Sequence, residues 1–238
     1  EIFTSNIYLF KDEGEFLRMI NHSRDLRDFD SIELILERWF QHDPENIYAH
    51  KIAFANNIEL LRYRQAEKHI EFLFTLYKRK NNKSYIDVDE ILVNNLFVAN
   101  VIDFFDNYLK NKDDTNLLLS YVDYLQRNSL DSIAVKYLSQ VNIDNRIIIR
   151  KFAYSLSKIS ENERAATLIE NYINKSSVTD RQISLELVSL YLSLNNLEKA
   201  ISLIDKVIEI DEMDDTFIYR VALTCFDKEH YDLSEKYF

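Results

Sequence analysis

The sequence holds one glycine, one proline and one cysteine in 238 residues. Ordinary globular chains use several per cent of the first two. Sheets and loop-rich enzymes rely on glycine for tight turns and for backbone that must pass close to a ligand. Its near absence predicts an almost wholly helical chain, with corners built from Asn, Asp and Ser instead. Such corners are present at Arg24-Asp25-Leu26-Arg27-Asp28, Arg127-Asn128-Ser129, Ser160-Glu161-Asn162 and Asn195-Asn196. A lone Gly14 cannot build a phosphate cradle, which needs several glycines to bring backbone N–H groups close. A lone Cys225 excludes an intrachain disulfide and a Cys-rich metal site. It falls on an apolar helical face, as a small buried hydrophobe would.

Basic charge is also scarce. Lys and Arg total 29 against 40 Asp and Glu, a net charge of −11. Binding to a phosphate backbone calls for a basic stripe. Lys78-Arg79-Lys80 is short and surrounded by acids, so it reads as a solvated helix end. Nucleic acid is therefore not an expected partner. No apolar run approaches the roughly 18 residues needed to cross a bilayer, so no membrane insertion by this segment is expected. The chain starts at Glu1 without a basic-then-apolar leader, as a mature form or an excised fragment would. Cytoplasm, and periplasm through a lipid anchor on an earlier segment, both stay open.

Catalytic signatures are thin. The five histidines, His22, His42, His50, His69 and His230, include no pair four apart, and none follows a Glu by three. Helical di-metal and zinc patterns are thus absent, and each His reads as a surface or groove residue. Glu33 and Glu37 sit one turn apart and read as a solvated face, since acid–base work needs a pocket. No cofactor, no metal and no enzymatic activity are expected.

What the chain does have is a period. A small or compact apolar residue recurs at Ile32, Ala66, Ala99, Ala134, Ala165, Ala200 and Ser234, in steps of 34, 33, 35, 31, 35 and 34. Repeats of this length mean stacked supersecondary units. Residues 1–12 form a lead-in. Residues 13–80 hold two helix pairs: Phe16, Met19 and Ile20 face Ile32, Leu36, Trp39 and Phe40, and Ala49, Ile52, Ala53 and Asn56 face Ala66, Ile70, Phe74 and Tyr77. Between them Asp43-Pro44-Glu45-Asn46 closes one unit, its proline suited to the first turn of the next helix. Residues 81–114 are a degenerate helical repeat whose one turn signal is Asn94-Asn95, so one helix or two both fit. Residues 115–238 continue the period: 115–145 is shortened, and the last repeat is incomplete.

Residues 181–214 resemble the tetratricopeptide repeat (TPR). Leu187, Val188, Tyr191, Asn195-Asn196-Leu197-Glu198-Lys199-Ala200, Ile204 and Val207 follow that repeat's frame, with Val188 in place of the usual Gly. Asp43-Pro44-Glu45-Asn46 resembles its inter-repeat Asp-Pro-x-Asn. The degenerate repeats, the irregular middle and the segment around Glu37–Asn46 are also similar to bacterial TPR lipoproteins that act as adaptors for an envelope protease. The resemblance implies an all-α α-solenoid, antiparallel helix pairs in a right-handed superhelix with a groove lined by first helices. It implies a non-catalytic scaffold whose partner is a protein or peptide.

In that frame the groove presents Leu119, Asp123, Gln126, Arg150, Tyr154, Leu185, Ser189, Leu192, Tyr219, Leu223 and Phe226. The expected partner-binding set is Arg150, Tyr154, Leu185, Ser189, Leu192, Tyr219, Leu223 and Phe226, with Arg150 available to a carboxylate or carbonyl. Leu17 and Asn21, then Lys51 and Ala55, only half match the family's carboxylate clamp, which argues against an acidic chaperone tail. Aromatics at the C-terminal end invite self-association, since solenoid ends need polar caps. A different reading also fits the sequence: the regulatory or substrate-binding arm of a larger enzyme whose catalytic domain lies outside this chain.

Overall fold

Reversing a helix without glycine is the first problem this sequence must solve. The computed structural model describes residues 12–81, 88–91, 98–111, 114–142, 145–175, 180–210 and 215–238. Residues 1–11 of the 1–12 lead-in and the Asn94-Asn95 turn lie outside the described residues. Helix α1 (Glu13–Asp25) turns into α2 (Phe29–His42), and α3 (Ile47–Glu59) into α4 (Tyr63–Asn81). After α5 (Val88–Ile91) and α6 (Val98–Tyr108), α7 (Thr115–Arg127) turns into α8 (Asp131–Leu138), and α9 (Arg146–Lys158) into α10 (Asn162–Lys175). Finally α11 (Arg181–Ser193) turns into α12 (Leu197–Ile210), and α13 (Asp215–Asp227) into α14 (Tyr231–Tyr237). No strand occurs among the described residues.

These six corners share one geometry. Arg27, Leu61, Ser129, Ser160, Asn195 and Glu229 each have positive φ, between 54° and 66°. The next residue donates its N–H back across the corner: Asp28 to Ser23 O, Arg62 to Asn57 O, Leu130 to Leu125 O, Glu161 to Leu156 O, Asn196 to Tyr191 O and His230 to Cys225 O, all at 2.8–2.9 Å. This six-to-one bond is the Schellman closure, which satisfies a carbonyl that the helix end would leave orphaned. Glycine usually holds the left-handed position; here side-chain-bearing residues do.

Four residues past each of these donors, the periodic position appears. Ile32, Ala66, Ala134, Ala165, Ala200 and Ser234 are each the fourth residue of the second helix, and each is buried. A small side chain there lets two helices approach closely. Ala99 departs from the series. It is exposed on α6, and Val101, two residues on, takes the buried place. The shortened repeat has its counterpart in α8, which runs for 8 residues where α10 and α12 run for 14.

The chain forms two compact units, residues 1–124 and 125–238. In the first, Phe16 stacks on Trp39 with centroids 5.1 Å apart and planes 8° apart. Ile20, Ile32, Ile35, Leu36, Ala49, Ile52 and Ala53 complete this core, so α3 packs on the first hairpin. On α4 the buried stripe is Ala66, Ile70, Leu73 and Leu76; Phe74 and Tyr77, expected inside, are only partly covered. Pro44 lies in the corner ahead of α3 instead of its first turn, and Asn46 caps that helix by accepting from Ala49 N at 3.0 Å. In the second unit α9 packs on α8 and α10, and α11 on α10, α12 and α13. Helices α9 and α11 each meet their own partner and the preceding second helix, and α13 meets α14 and α11, which is the stacking of an α-solenoid.

A polar tie runs through the start of the second unit. Gln126 Nε2 donates to Lys151 O at 2.9 Å and to Ser155 Oγ at 2.8 Å. Ser155 Oγ in turn donates to Asp131 Oδ1 at 2.9 Å. Ser155 is fully buried and Asp131 nearly so. Ser155→Ala strips both neighbours of a partner inside the protein, an effect of about 2 kcal/mol. A lowered urea midpoint with unchanged slope, read by circular dichroism, is the expected result; an unchanged midpoint contradicts it.

Candidate interaction surface

Helix α9 starts at Asn145, whose side chain accepts from Ile147 N at 2.8 Å, and α11 at Asp180, which accepts from Ile183 N at 3.1 Å. Arg146 reaches from α9 to Asp180 at 2.9 Å. Four residues along, Arg150 Nε bonds Glu186 Oε1 of α11 at 2.7 Å, and Gln182 Nε2 adds a 3.3 Å bond to the same oxygen. Two ion pairs thus set α9 beside α11. Arg150 is therefore already engaged by a carboxylate of its own chain, whereas the sequence suggested an uncommitted guanidinium.

The aromatic and aliphatic members of the expected set divide. Tyr154 is 49% exposed on α9, with Lys158 Nζ 5.3 Å from its ring centre. Ile147, two turns earlier on the same helix, is exposed as well. On α13, Tyr219 and Phe226 are each 55% exposed, with Leu223 between them also exposed. Residues 219, 223 and 226 are four and three apart, so they line one stripe of the helix. Tyr219 meets Phe238 edge-on at 5.7 Å, and Phe226 meets Tyr231 edge-on at 5.5 Å.

Leu185 and Leu192 do not join that surface. They are 7% and 2% exposed, and Ser189 between them is half-buried. Their helix α11 packs directly on α13, and His230 Nε2 donates to Leu192 O at 3.1 Å. Leu119 is likewise buried, and Gln126 is spent in the Ser155 network. The repeat frame names the face a residue takes but not how much of that face the next helix covers. Of the expected set, Tyr154 on α9 and Tyr219, Leu223 and Phe226 on α13 stay accessible, and Ile147 of α9 joins them.

Cys225 is buried, and burial pushes its thiol up, as suits a packing residue. Glu170 is held low by the Tyr191 hydroxyl at 2.5 Å and by Lys199 Nζ at 2.9 Å, a tie between the last helix of one hairpin and both helices of the next. Among the described residues no group of three His, Cys, Asp or Glu could hold a metal ion. Nor is any described helix long and apolar enough to cross a membrane. One grouping escaped the sequence reading: His50 is buried and meets His69 across the second hairpin at 3.0 Å. The signal was there in the repeat frame. His50 is the fourth residue of α3, the place held by Phe16 in α1, Ile149 in α9 and Ser184 in α11, all buried.

No family model matches this chain. No curated protein matches it either. Among solved structures it is similar to a thermophilic TPR protein of Thermus thermophilus, at 16% identity and a TM-score of 0.35, over 90% of this chain and 100% of that one.

Proposed function

We propose that this chain is a non-catalytic scaffold that binds a partner protein along the first-helix face of its second unit. The observation that carries the reading is the pair of exposed stripes, Ile147 and Tyr154 on α9 and Tyr219, Leu223 and Phe226 on α13. Large apolar groups grouped at a surface mark sites of association. The chemistry suits an extended or helical peptide with two apolar anchors. Arg150 contributes only to a ligand carboxylate or carbonyl able to compete with Glu186. Ser189, half-buried between the stripes, offers a hydroxyl, while Leu185 and Leu192 support the floor.

The test is selection of a displayed random-peptide library on the whole chain. Enriched peptides should carry two aromatic or aliphatic anchors. Tyr154→Ala or Phe226→Ala should each weaken a selected peptide roughly thirtyfold, the affinity equivalent of about 2 kcal/mol for an anchor of this kind. Tyr154→Ala with Arg150→Ala should abolish capture while the helical spectrum stays intact. Selected peptides that bind all these variants as tightly as the parent would remove this face from consideration.

A further inference from the structure

In the second hairpin His50 Nδ1 stands 3.0 Å from His69 Nδ1. The other nitrogen of His50, Nε2, stands 3.0 Å from the carbonyl oxygen of Pro44. A carbonyl can only accept, so Nε2 carries a hydrogen and donates it. In a neutral imidazole the opposite nitrogen is then bare. His50 Nδ1 is the acceptor, and the hydrogen between the rings belongs to His69 Nδ1. One hydrogen fits that gap; two cannot.

The surroundings are apolar. Phe72 stacks on His50 with centroids 4.0 Å apart, and Phe40 of α2 lies 4.7 Å from His50 and 5.8 Å from His69. Helix α6 reaches α3 through Phe104 against Phe54. Two charged groups bear on the pair: Asp43, from the corner after α2, favours a proton on His50, and Lys68 of α4 opposes one on His69.

We infer that the His50–His69 contact is an acid-sensitive latch. It clamps α3 to α4 while both rings are neutral and releases that hairpin to local opening as pH falls. The single-hydrogen geometry fixes the direction. Protonating both rings sets two N–H groups against each other, and protonating either buries a charge among phenylalanines.

Burial lowers the proton affinity of His50, and burial together with His50 and Lys68 lowers that of His69 to about 4. In the open hairpin both rings return to the ordinary value of about 6.5. Folded affinities lie below unfolded ones, so the open form takes up protons that the closed form refuses. The latch is whole above pH of about 7 and is lost progressively as pH falls from about 6.5 toward 4.

Hydrogen exchange of the whole chain, corrected for intrinsic amide rates, tests this between pH 7 and pH 5. Opening of the α3 and α4 amides should steepen below pH of about 6.5 toward tenfold per pH unit for each ring kept neutral. The α11 and α12 amides serve as the internal reference. His69→Asn keeps an N–H donor at the Nδ1 place but cannot titrate, so it should remove about half of that slope. Long-range nitrogen–proton spectra of the unmodified imidazoles decide the matter even if that variant fails to fold. They should show His50 as the Nε2–H tautomer and His69 as the Nδ1–H tautomer at pH 7, with His69 still neutral at pH 5. Rings that titrate near 6.5 in the folded protein, or α3–α4 opening that matches the reference across the range, would overturn the latch.

Discussion

Trp39→Ala should cost the first unit about 4 kcal/mol, the largest loss expected of any single change described above. Trp39 is buried and stacks face-on against Phe16 of α1, while its neighbours Leu36, Ala49 and Ile52 bind α3 to the same core. Removing the indole therefore empties the junction between the first hairpin and the next helix, and rigid helices cannot fully close such a space. The chain has no other tryptophan, so the unfolding of the variant must be followed by circular dichroism in urea. Exchange protection in α1, α2 and α3 should fall together. A urea midpoint within about 0.5 kcal/mol of the parent, the range of an ordinary surface change, would mean that this stack is not the keystone its burial indicates.

The second large effect has the opposite sign. Arg27→Gly, Leu61→Gly and Glu229→Gly together should stabilise the chain by roughly 2 kcal/mol. Each residue stands at positive φ, 54°, 58° and 64°, and each is exposed, so little packing is lost. A side-chain-bearing residue in the left-handed region costs about 1–2 kcal/mol. Glycine removes that cost and returns about half of it through the greater freedom of the unfolded chain. The prediction is read from urea midpoints of the three single variants and their combination. Destabilisation by glycine at these corners would mean that the left-handed geometry bears no strain there.

These two cases show what the residues announce and what they hide. The helical class follows from the missing glycine and from Ala66, Ala134, Ala165 and Ala200, whose spacing and size demand close helix pairs. The corners at Ser129, Ser160 and Asn195 are legible because those side chains favour turns. The corner at Arg27 is announced by Asp25 and Asp28 around it, whereas Leu61 and Glu229 carry no such mark. Ala99 misleads because a small residue is not small for one reason only. On the surface, Tyr154, Tyr219, Leu223 and Phe226 are exposed at the places the repeat frame assigns to the first-helix face. Leu185 and Leu192 share that frame position but are closed over, because burial depends on α13, a neighbour outside their own repeat. By residue type His50 reads as a surface or groove residue, yet it is buried, at the place in its helix that Phe16 and Ile149 hold in theirs.

The corners have a consequence for insertions and deletions. In each of the six, the residue that closes the first helix stands directly before the second helix begins, so no spare residue exists between them. From Arg27 to Ile32 and from Glu229 to Ser234 the interval is five, and it is five in every corner between. The repeat itself still varies in length, from 31 to 35 residues between markers. All of that variation must therefore be taken up elsewhere, in the second helices and in the links that follow them, as the short α8 shows. One residue added inside a corner would break its six-to-one closure and leave the carbonyl at the end of the first helix without its partner. The joints of this chain, with the 13-residue first helices that lead into them, are its fixed-length parts, and the second helices are where length can be traded.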